Sequence, residues 1–439
     1  MFQPTHAPSA IAGSFASDAA ASGRAFLVST AANNRKQELF VIGAGLIALA
    51  LKLVIASNTI GTNDVIALYH FGNSVSQHGL HWTYQNTIAF NHPPLSAYLL
   101  QGIYRLSNLP SVQQFGLTFP FLVRVPGIIA DFVSVLVVLA IVRSSDFKVP
   151  AWIIYLFALS PVSLMVTGFH GNTDPIMVLF FILAVYMAFK ERAVACGLFF
   201  ALSCHIKIVP LLFLPILVFF WMARGSFLQF SLAFAASMLS LWCYPLLAFP
   251  SLFVKNVLSY GSFWGLWGIT YWLRLTGWSQ FARVTFHHFS EAQVIVATLL
   301  KLLIIAAIIL IGWRRRNGSA ETLCHSIGYA WIIFFVFSPG VCAQYMVWLA
   351  PFVLLLSSTL YNWLTLASAL FLFFFYNTIA DRFPWYLGIS GGEHNEKWLP
   401  WSIWPWAILI AALILMWRNA FALNPALLSA QTRNVCHNS

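Results

Sequence analysis

Charged residues are scarce in this sequence. Asp, Glu, Lys and Arg make up only 8% of the 439 residues, whereas a typical soluble domain carries roughly 25%. Hydrophobic residues make up 60% and aromatic residues 16%. So few charged side chains could not cover a soluble protein of this length. The composition therefore excludes an ordinary soluble domain and predicts an integral membrane protein.

Acidic residues are the scarcer charge class, with 12 against 23 Lys and Arg, which gives a net charge of +11. An excess of this kind often indicates nucleic-acid binding. Here, however, the cations lie at the ends of apolar segments, as at Lys36 and at Arg314 to Arg316. That placement is the pattern that orients membrane proteins. We therefore expect membrane lipid around the chain and no nucleic-acid partner.

Motifs for disulfides and metal ions are absent as well. The six cysteines include no CxxC pair, and most lie in or beside apolar runs, where cysteine behaves as a small hydrophobe. No HExxH motif occurs, and the histidine spacings fit no ligand pattern. We expect no cofactor; a divalent metal stays open but is not favoured.

Long apolar runs are what the chain has instead. A spanning helix needs about 20 mostly apolar residues, so the length accommodates about ten to twelve spans. No internal repeat or low-complexity linker interrupts them, which predicts one all-α, polytopic transmembrane domain over residues 37–420. Residues 1–36 and 421–439 are predicted to be cytoplasmic tails, the first of them disordered. The predicted spans lie near 39–57, 119–142, 150–168, 173–190, 227–248, 292–312, 322–338, 342–358, 360–377 and 401–418.

The cations also predict the orientation of the chain. Lys36 precedes the first apolar run and Arg418 follows the last, so both termini are placed in the cytoplasm. The first loop, from about residue 58 to 119, is then large and extracytoplasmic. Within it, Asp64–Gly79 and Pro93–Leu106 indicate two helices that lie at the membrane surface and do not span it.

One apolar segment, Ala193–Trp221, is long for one span and short for two. Pro210 and Pro215 interrupt it, and proline breaks a helix by removing a donor and clashing with the preceding turn. We predict a hairpin of two shorter helices that returns to the cytoplasmic side. Such broken helices are tolerated at membrane depth where they line a cavity.

Polar residues on the extracytoplasmic side are the first candidates for function, because polar groups at membrane depth are costly. Asp64, which follows Asn63 just after the first span, could serve as a general base or simply cap a helix. His92 could hydrogen-bond a phosphate or a sugar, or be a solvated residue of a turn. His170, Asn172 and Asp174 lie together in a later turn, a composition that ordinary turns share.

Charged residues inside the bundle are the second group of candidates. Lys207 lies about twelve residues from either end of the hairpin, near or above the membrane midplane at 1.5 Å per residue. There it needs an anion, such as a lipid-linked phosphate, or must extend toward a headgroup. We expect Lys207 and the neighbouring His205 to face a cavity, with Arg124 assisting. Asp131 is expected to form a structural pair with Lys207 or Arg124.

Several short motifs, in order, resemble those of the GT-C membrane glycosyltransferases. The resemblance is chiefly to the enzyme that adds the first mannose to GPI anchors, with its bacterial counterparts, and to the dolichyl-phosphate-glucose-dependent glucosyltransferases. It covers about Asn63 to Pro351. The motifs are Ala130-Asp131, Gly171-Asn172-Thr173-Asp174, His205-Ile206-Lys207-Ile208-Val209-Pro210, Pro93-Pro94-Leu95-Ser96-Ala97-Tyr98 and Gln344-Tyr345.

The resemblance implies a GT-C fold with a large first extracytoplasmic loop, in a bacterial plasma membrane. It also implies inverting transfer of a hexose, mannose before glucose, from a polyprenyl-phosphate sugar to a lipid-linked or glycan acceptor. Asp64 would be the base. The loop acid stands as Asn63-Asp64 instead of Asp-x-Asp or Asp-Asp, which leaves metal dependence open. The donor phosphate would be met by His205, Lys207, Arg124 and Gln344, and the substrates would be surrounded by Asn63, His92, His170, Asn172, Asp174 and Tyr345.

Two other functions remain open from the sequence. A secondary transporter would also have broken helices and charges near the midplane, although the chain shows no repeat. A non-catalytic subunit of GT-C type is compatible with the altered acidic motif.

Overall fold

A computed structural model describes residues 36–87, 90–259, 264–265, 267–283, 288–380 and 400–422 of the chain. Of these residues, 83% are helical and none is in a strand, so the prediction of an all-α protein is confirmed. Most of the two predicted tails, residues 1–35 and 423–439, lies outside the described ranges.

The helices of the described ranges are numbered in chain order. They are α1 (Lys36–Asn58), α2 (Asn63–Asn86), α3 (Pro94–Ser107), α4 (Pro110–Gln114), α5 (Phe119–Arg143), α6 (Ala151–Ala158), α7 (Pro161–Ser163), α8 (Asp174–Phe189), α9 (Ala193–Ile206), α10 (Leu214–Met222), α11 (Phe227–Ala248), α12 (Pro250–Phe253), α13 (Gly268–Leu275), α14 (Ser279–Ala282), α15 (Glu291–Arg315), α16 (Ala320–Phe337), α17 (Ala350–Leu356), α18 (Ser358–Ala380) and α19 (Ile403–Ala422). Leu164–His170 and Val254–Leu258 are π-helical, and Val209–Phe213 and Ala343–Val347 are 3₁₀-helical.

Eight helices in the described part of the chain are long and apolar enough to cross a membrane: α1, α5, α6 with its continuation to His170, α11, α15, α16, α18 and α19. Four shorter apolar helices accompany them, over Asp174–Phe189, Ala193–Ile206, Val209–Met222 and Ala343–Leu356. The protein is thus an integral membrane protein that crosses the bilayer several times. Two predicted spans, near 173–190 and 342–358, are among the shorter helices.

The core of the bundle surrounds α16. About 67% of the apolar window of α16 is buried, against 11% for α15, so α15 presents its side chains outward and α16 is enclosed. Trp331 in the middle of α16 packs against the rings of Phe181, Phe213 and Phe352, with centroids 4.4 to 6.4 Å away. An outward-facing apolar helix suits a lipid environment, where burial of apolar side chains inside the protein is not required.

The predicted hairpin is present. α9 ends at Ile206, and Pro210 and Pro215 stand in the first turns of the 3₁₀ segment and of α10. The Trp221 indole at the end of the second arm donates to Cys196 Sγ at 3.4 Å, near the start of the first arm. The chain therefore turns back on itself, and Lys207 lies at the tip.

The first loop forms two helices, as predicted, followed by the short α4. α2 is longer than expected because it continues past a kink at Gly79 as far as Asn86. Thr62 is its N-cap, with a hydroxyl that accepts from the Asp64 backbone N–H at 3.3 Å. The cap role left open for Asp64 therefore belongs to Thr62, and the Asp64 carboxylate is available for other contacts.

A buried ion pair joins the first helices of the bundle. Lys52 of α1 meets Asp131 of α5, and the Ser163 hydroxyl also donates to Asp131, at 2.5 Å. The expected pairing of Asp131 with Lys207 or Arg124 is therefore wrong. Lys52 is 3% exposed, and a charge so deep in a helical bundle needs an opposite charge as its neighbour.

The predicted orientation can be tested by cysteine labelling in a cysteine-free background. Asn108, exposed after α3, and Asn317, exposed between α15 and α16, are predicted to lie on opposite sides of the membrane. Asn108→Cys should react with an impermeant maleimide added to intact cells, and Asn317→Cys should react only after permeabilisation. The reverse labelling would overturn the orientation.

Candidate active site

Asp64 lies in the first turn of α2 with one carboxylate oxygen held and the other open. Its Oδ2 accepts from His170 Nε2 at 2.9 Å and from the Gln344 amide at 3.1 Å. Its Oδ1 receives no hydrogen bond from any described residue, and the side chain is 45% exposed. Two donors thus orient the carboxylate without covering the oxygen that could take up a proton.

His170 is the last residue of the π-helical segment that follows α7. Its side chain is 6% exposed, and its Nδ1 lies 2.9 Å from the Tyr376 hydroxyl of α18. Its backbone carbonyl accepts from the Thr62 hydroxyl at 3.0 Å. π-helical turns are rare and occur often at functional sites. The segment brings His170 against the start of α2.

A second cluster, made by Lys207, Asp174 and Asn172, lies at the tip of the hairpin. The Lys207 ammonium pairs with Asp174 Oδ1, and the Asn172 amide donates to Asp174 Oδ2 at 3.0 Å. Asn172 Oδ1 in turn accepts from the Asp174 backbone N–H at 2.8 Å. The Asp174 side chain is fully buried, so both of its oxygens are used inside the protein.

Aromatic rings cover the Lys207 ammonium. The centroids of Tyr345 and Trp348 lie 5.2 and 5.1 Å from Nζ, and the two rings stack 3.6 Å apart. Both belong to the segment around the 3₁₀ turn that also supplies Gln344. Since cations are attracted to ring faces, the rings stabilise a charged lysine.

His92 precedes α3 and lies within electrostatic reach of both Lys207 and Asp64. The Tyr84 hydroxyl donates to its backbone carbonyl at 2.7 Å, and Phe71 and Phe90 pack against its ring. Burial and the charge of Lys207 lower the pKa of His92 to about 4, against the opposing effect of Asp64. His92 is therefore neutral near pH 7, and its partly exposed imidazole makes no hydrogen bond to a described residue.

The charges around Asp64 favour its ionised form. Burial by itself raises the pKa of the Asp64 carboxyl, but the charge and hydrogen bond of His170 and the charge of Lys207 together hold that pKa below its usual value. A carboxyl with a lowered pKa loses its proton at a lower pH, so Asp64 is a carboxylate throughout the neutral range.

His205 and Arg124, two of the residues expected at the donor phosphate, have their partners elsewhere. His205 is fully buried, with Nε2 2.9 Å from the Ser237 carbonyl of α11 and its ring against Trp242. The expectation that His205 faces an open cavity is therefore wrong: it joins α9 to α11.

Asn63, which was expected near the substrates, is exposed at the start of α2, and its side chain has no hydrogen bond to a described residue.

Arg124 is a clamp between helices. It is 1% exposed, and its five N–H groups are all taken up. It donates to the Pro120 carbonyl, to the carbonyls of Ala56 and Thr59 and the hydroxyl of Thr59 at the end of α1, and to the carbonyls of Gly168 and Phe169 in the π-helical segment. Because no N–H remains for a ligand, we withdraw the expected phosphate contact. The clamp holds the end of α1 beside His170.

Three residues of this arrangement were missed from the sequence: Tyr376, Trp348 and Lys52. Tyr376 lies in a phenylalanine-rich run with no polar motif around it. Trp348 follows Tyr345 by three residues, a spacing that places two side chains on one helical face. Lys52 is a lone cation within the first apolar run, which by itself signals a buried partner.

No three His, Cys, Asp or Glu side chains in the described part of the chain are grouped as a metal site. A cavity of about 420 Å³ lies between α2, α4 and the start of α5, and its wall includes Val65, Ile66 and Tyr69. These residues lie on another side of α2 from Asp64, so the cavity is separate from the polar cluster.

Residues 115–339 match the model of glycosyltransferase family 87. This is 225 of the 439 residues, more than half of the chain. The chain belongs to glycosyltransferase family 87. That family is a membrane family of GT-C type, so the resemblance seen in the sequence motifs is confirmed. A comparison with curated proteins finds no match.

The family match includes His170, Asp174 and Lys207 but not Asp64 or Gln344, which lie outside residues 115–339. Membership therefore supports glycosyltransferase activity in general, while the assignment of the base rests on the geometry around Asp64.

The turn between His170 and Asp174 is predicted not to tolerate a methyl group at Gly171. Gly171 has φ +77°, and a Cβ there would lie 2.6 Å from Val65 Cγ2 and 3.0 Å from Arg124 Cδ. Gly171→Ala should therefore lower the thermal unfolding temperature in detergent and reduce transfer. Strain costs about 1–2 kcal/mol in the left-handed region, and overpacking adds roughly 1–3 kcal/mol.

Gly225→Ala is the matched control. Gly225 has φ +70°, but a Cβ there would meet nothing within 4 Å, so this variant carries the backbone strain without the clash. Equal unfolding temperatures for the two variants would show that the Gly171 turn tolerates a side chain.

Proposed function

We propose that this protein transfers a hexose, mannose before glucose, from a polyprenyl-phosphate sugar to a hydroxyl of a lipid-linked or glycan acceptor, with inversion, on the extracytoplasmic side of the membrane. The observation that carries the proposal is the Asp64 carboxylate, which is held on Oδ2 by His170 and Gln344 and open on Oδ1. Membership of glycosyltransferase family 87 supplies the reaction class.

Asp64 suits the role of general base better than Asp174 does. An acceptor hydroxyl is a poor nucleophile at neutral pH, and a base must come within hydrogen-bond reach of its proton. Asp174 is fully buried and paired with Lys207, whereas the Asp64 side chain is 45% exposed. Only Asp64 of these two can reach an acceptor without breaking an ion pair.

The proposed step forms one bond at the anomeric carbon and breaks another. The acceptor oxygen forms a bond to the anomeric carbon while the bond from that carbon to the phosphate oxygen breaks. The acceptor proton passes to Asp64 Oδ1, and the bonding electron pair leaves with the polyprenyl phosphate. Asp64 then releases the proton to water, so that one carboxylate is enough for an inverting transfer.

Lys207 is the group best placed to meet the departing phosphate. Its ammonium has three N–H donors, of which Asp174 takes one, and it lies within electrostatic reach of Asp64. A fixed positive charge near developing negative charge is an effective way to stabilise a transition state. Tyr345 and Trp348 support the charge, and neutral His92, within electrostatic reach of Asp64 and Lys207, can hydrogen-bond a sugar hydroxyl.

The other functions can be separated from this one by a transfer assay in detergent with a lipid-linked sugar. A transporter or a non-catalytic subunit would release no polyprenyl phosphate and form no glycosylated acceptor. The mass of the lipid that copurifies with the protein would identify the sugar.

The base assignment predicts the behaviour of Asp64→Asn. The amide keeps the size of the side chain but cannot take up the proton, so transfer should fall roughly 100-fold or more while donor binding is retained. The measurement is initial rate with saturating donor. Near-normal transfer by Asp64→Asn, together with an inactive Asp174→Asn, would show that Asp174 is the base and Asp64 is not.

The phosphate assignment predicts that Lys207→Met loses affinity for the donor. Removing the ammonium leaves the phosphate without its cation, and the dissociation constant of the polyprenyl-phosphate sugar should rise at least tenfold, which corresponds to about 1.4 kcal/mol. Lys301→Met, which changes a lysine of the apolar helix α15, is the control and should bind as the wild type does. Unchanged donor affinity in Lys207→Met would remove Lys207 from the phosphate site.

A further inference from the structure

We propose that Tyr376 is a positioning residue for the base, acting through His170 to hold the Asp64 carboxylate in its working orientation. The proposal rests on the function proposed above. It concerns a residue near the end of α18, far along the chain from Asp64 and outside the region matched by the family.

Two hydrogen bonds carry the inference. His170 Nε2 lies 2.9 Å from Asp64 Oδ2, and His170 Nδ1 lies 2.9 Å from the Tyr376 hydroxyl. An ionised carboxylate only accepts hydrogen bonds, so Nε2 must carry the proton that joins the ring to Asp64. In a neutral ring Nδ1 is then a bare nitrogen, and it accepts from the Tyr376 hydroxyl. In a charged ring Nδ1 donates to the phenol oxygen. In both states the proton on Nε2 faces Asp64.

The ring would lose this constraint without the hydroxyl. A neutral histidine has two tautomers, and the second would place a lone pair of Nε2 against the carboxylate. The backbone of His170 is already held, because its carbonyl accepts from Thr62 and Gly171 follows in a left-handed conformation. The Asp64 carboxylate selects the tautomer, because it only accepts hydrogen bonds. Rotation of the ring is the freedom that remains, and the Tyr376 hydroxyl restrains it.

The surroundings exclude an easy substitute for the hydroxyl. Tyr376 is fully buried and His170 is 4% exposed, and the Tyr376 ring packs edge-on against Phe169 with centroids 5.4 Å apart. Water therefore has little access to Nδ1. Removing the hydroxyl leaves a buried nitrogen without this partner, which is costly.

The charges around Asp64 make the effect measurable. His170, Lys207 and His92 are the titratable groups that act on Asp64, and His170 contributes both a charge and a hydrogen bond. If His170 turns away, Asp64 keeps the neutral Gln344 donor and Lys207, and its pKa rises. A base with a raised pKa becomes protonated at a higher pH, so transfer is lost earlier as the pH falls.

The first test compares Tyr376→Phe with Tyr361→Phe. Tyr361 is a second buried tyrosine of α18, packed against Phe157, and it lies about 22 Å along the helix from Tyr376. Tyr376→Phe should lower kcat roughly tenfold, leave KM for the acceptor within about twofold, and move the acid limb of the kcat profile to higher pH. Tyr361→Phe should match the wild type in kcat and in the profile. A wild-type kcat and acid limb in Tyr376→Phe overturn the proposal.

A double-variant cycle tests the route of the effect. If Tyr376 acts through His170, then His170→Asn combined with Tyr376→Phe should be no slower than His170→Asn alone. Losses that multiply would show that Tyr376 acts on its own and would overturn the proposal.

A spectroscopic measurement observes the histidine ring directly and does not depend on activity. With ¹⁵N-labelled histidine, and with the His170 signal identified by its loss in His170→Asn, Nε2 of His170 should carry a proton at every pH at which the protein is folded. A bare Nε2 overturns the proposal. The measurement also separates the two ideas. If Asp64→Asn retains transfer, the proposed function fails, while a change in the His170 signals between the wild type and Tyr376→Phe still shows whether the Tyr376 hydroxyl holds the ring.

Discussion

A charge inside a helical bundle in lipid must meet an opposite charge or a full set of polar partners, because desolvation costs several kcal/mol per ion. This constraint accounts for most of the polar architecture. Lys52 pairs with Asp131, and Lys207 pairs with Asp174. Arg124 meets no carboxylate among the described residues and instead uses all its N–H groups on oxygens of the surrounding segments. Asp64 differs from these residues: its carboxylate is oriented from one side and open on the other.

The buried charged residues also position Asp64, whose carboxylate is open on one side. Arg124 joins the end of α1 to the π-helical segment, so the residues just before Asp64 and the segment that ends at His170 are held by one guanidinium. Thr62 adds to this by capping α2 and by donating to the His170 carbonyl. The backbone before Asp64 and the backbone of His170 are therefore both held in place. What remains adjustable is the histidine ring, and it lies between Asp64 and Tyr376.

The proposed reaction follows from the separation of two polar clusters that still act on each other. In the proposed function, Asp64 with His170 and Gln344 offers an oxygen for a proton, and Lys207 with Asp174 offers a positive charge for a phosphate. Neutral His92 lies within electrostatic reach of both Asp64 and Lys207. An inverting transfer needs a base for the acceptor and a stabilised leaving group, and the proposal assigns both roles to side chains of one chain.

Composition and long apolar runs determined that the protein is a helical membrane protein, since an apolar run of about 20 residues satisfies its backbone in lipid as a helix. The prolines of Ala193–Trp221 indicated the hairpin, because proline disfavours continuation of the preceding helix and is accepted in the first turn of the next one. Short motifs also marked Asp64, His170, Asp174 and Lys207. Tertiary structure alone decided their partners: Lys52 and not Lys207 for Asp131, helix ends and not a phosphate for Arg124, and the Ser237 carbonyl for His205. It alone brought Gln344 and Tyr376 to the Asp64–His170 pair. Contacts between residues so far apart in the chain depend on how the helices pack and on which charge must be neutralised. The spacing of residues along one segment reveals neither.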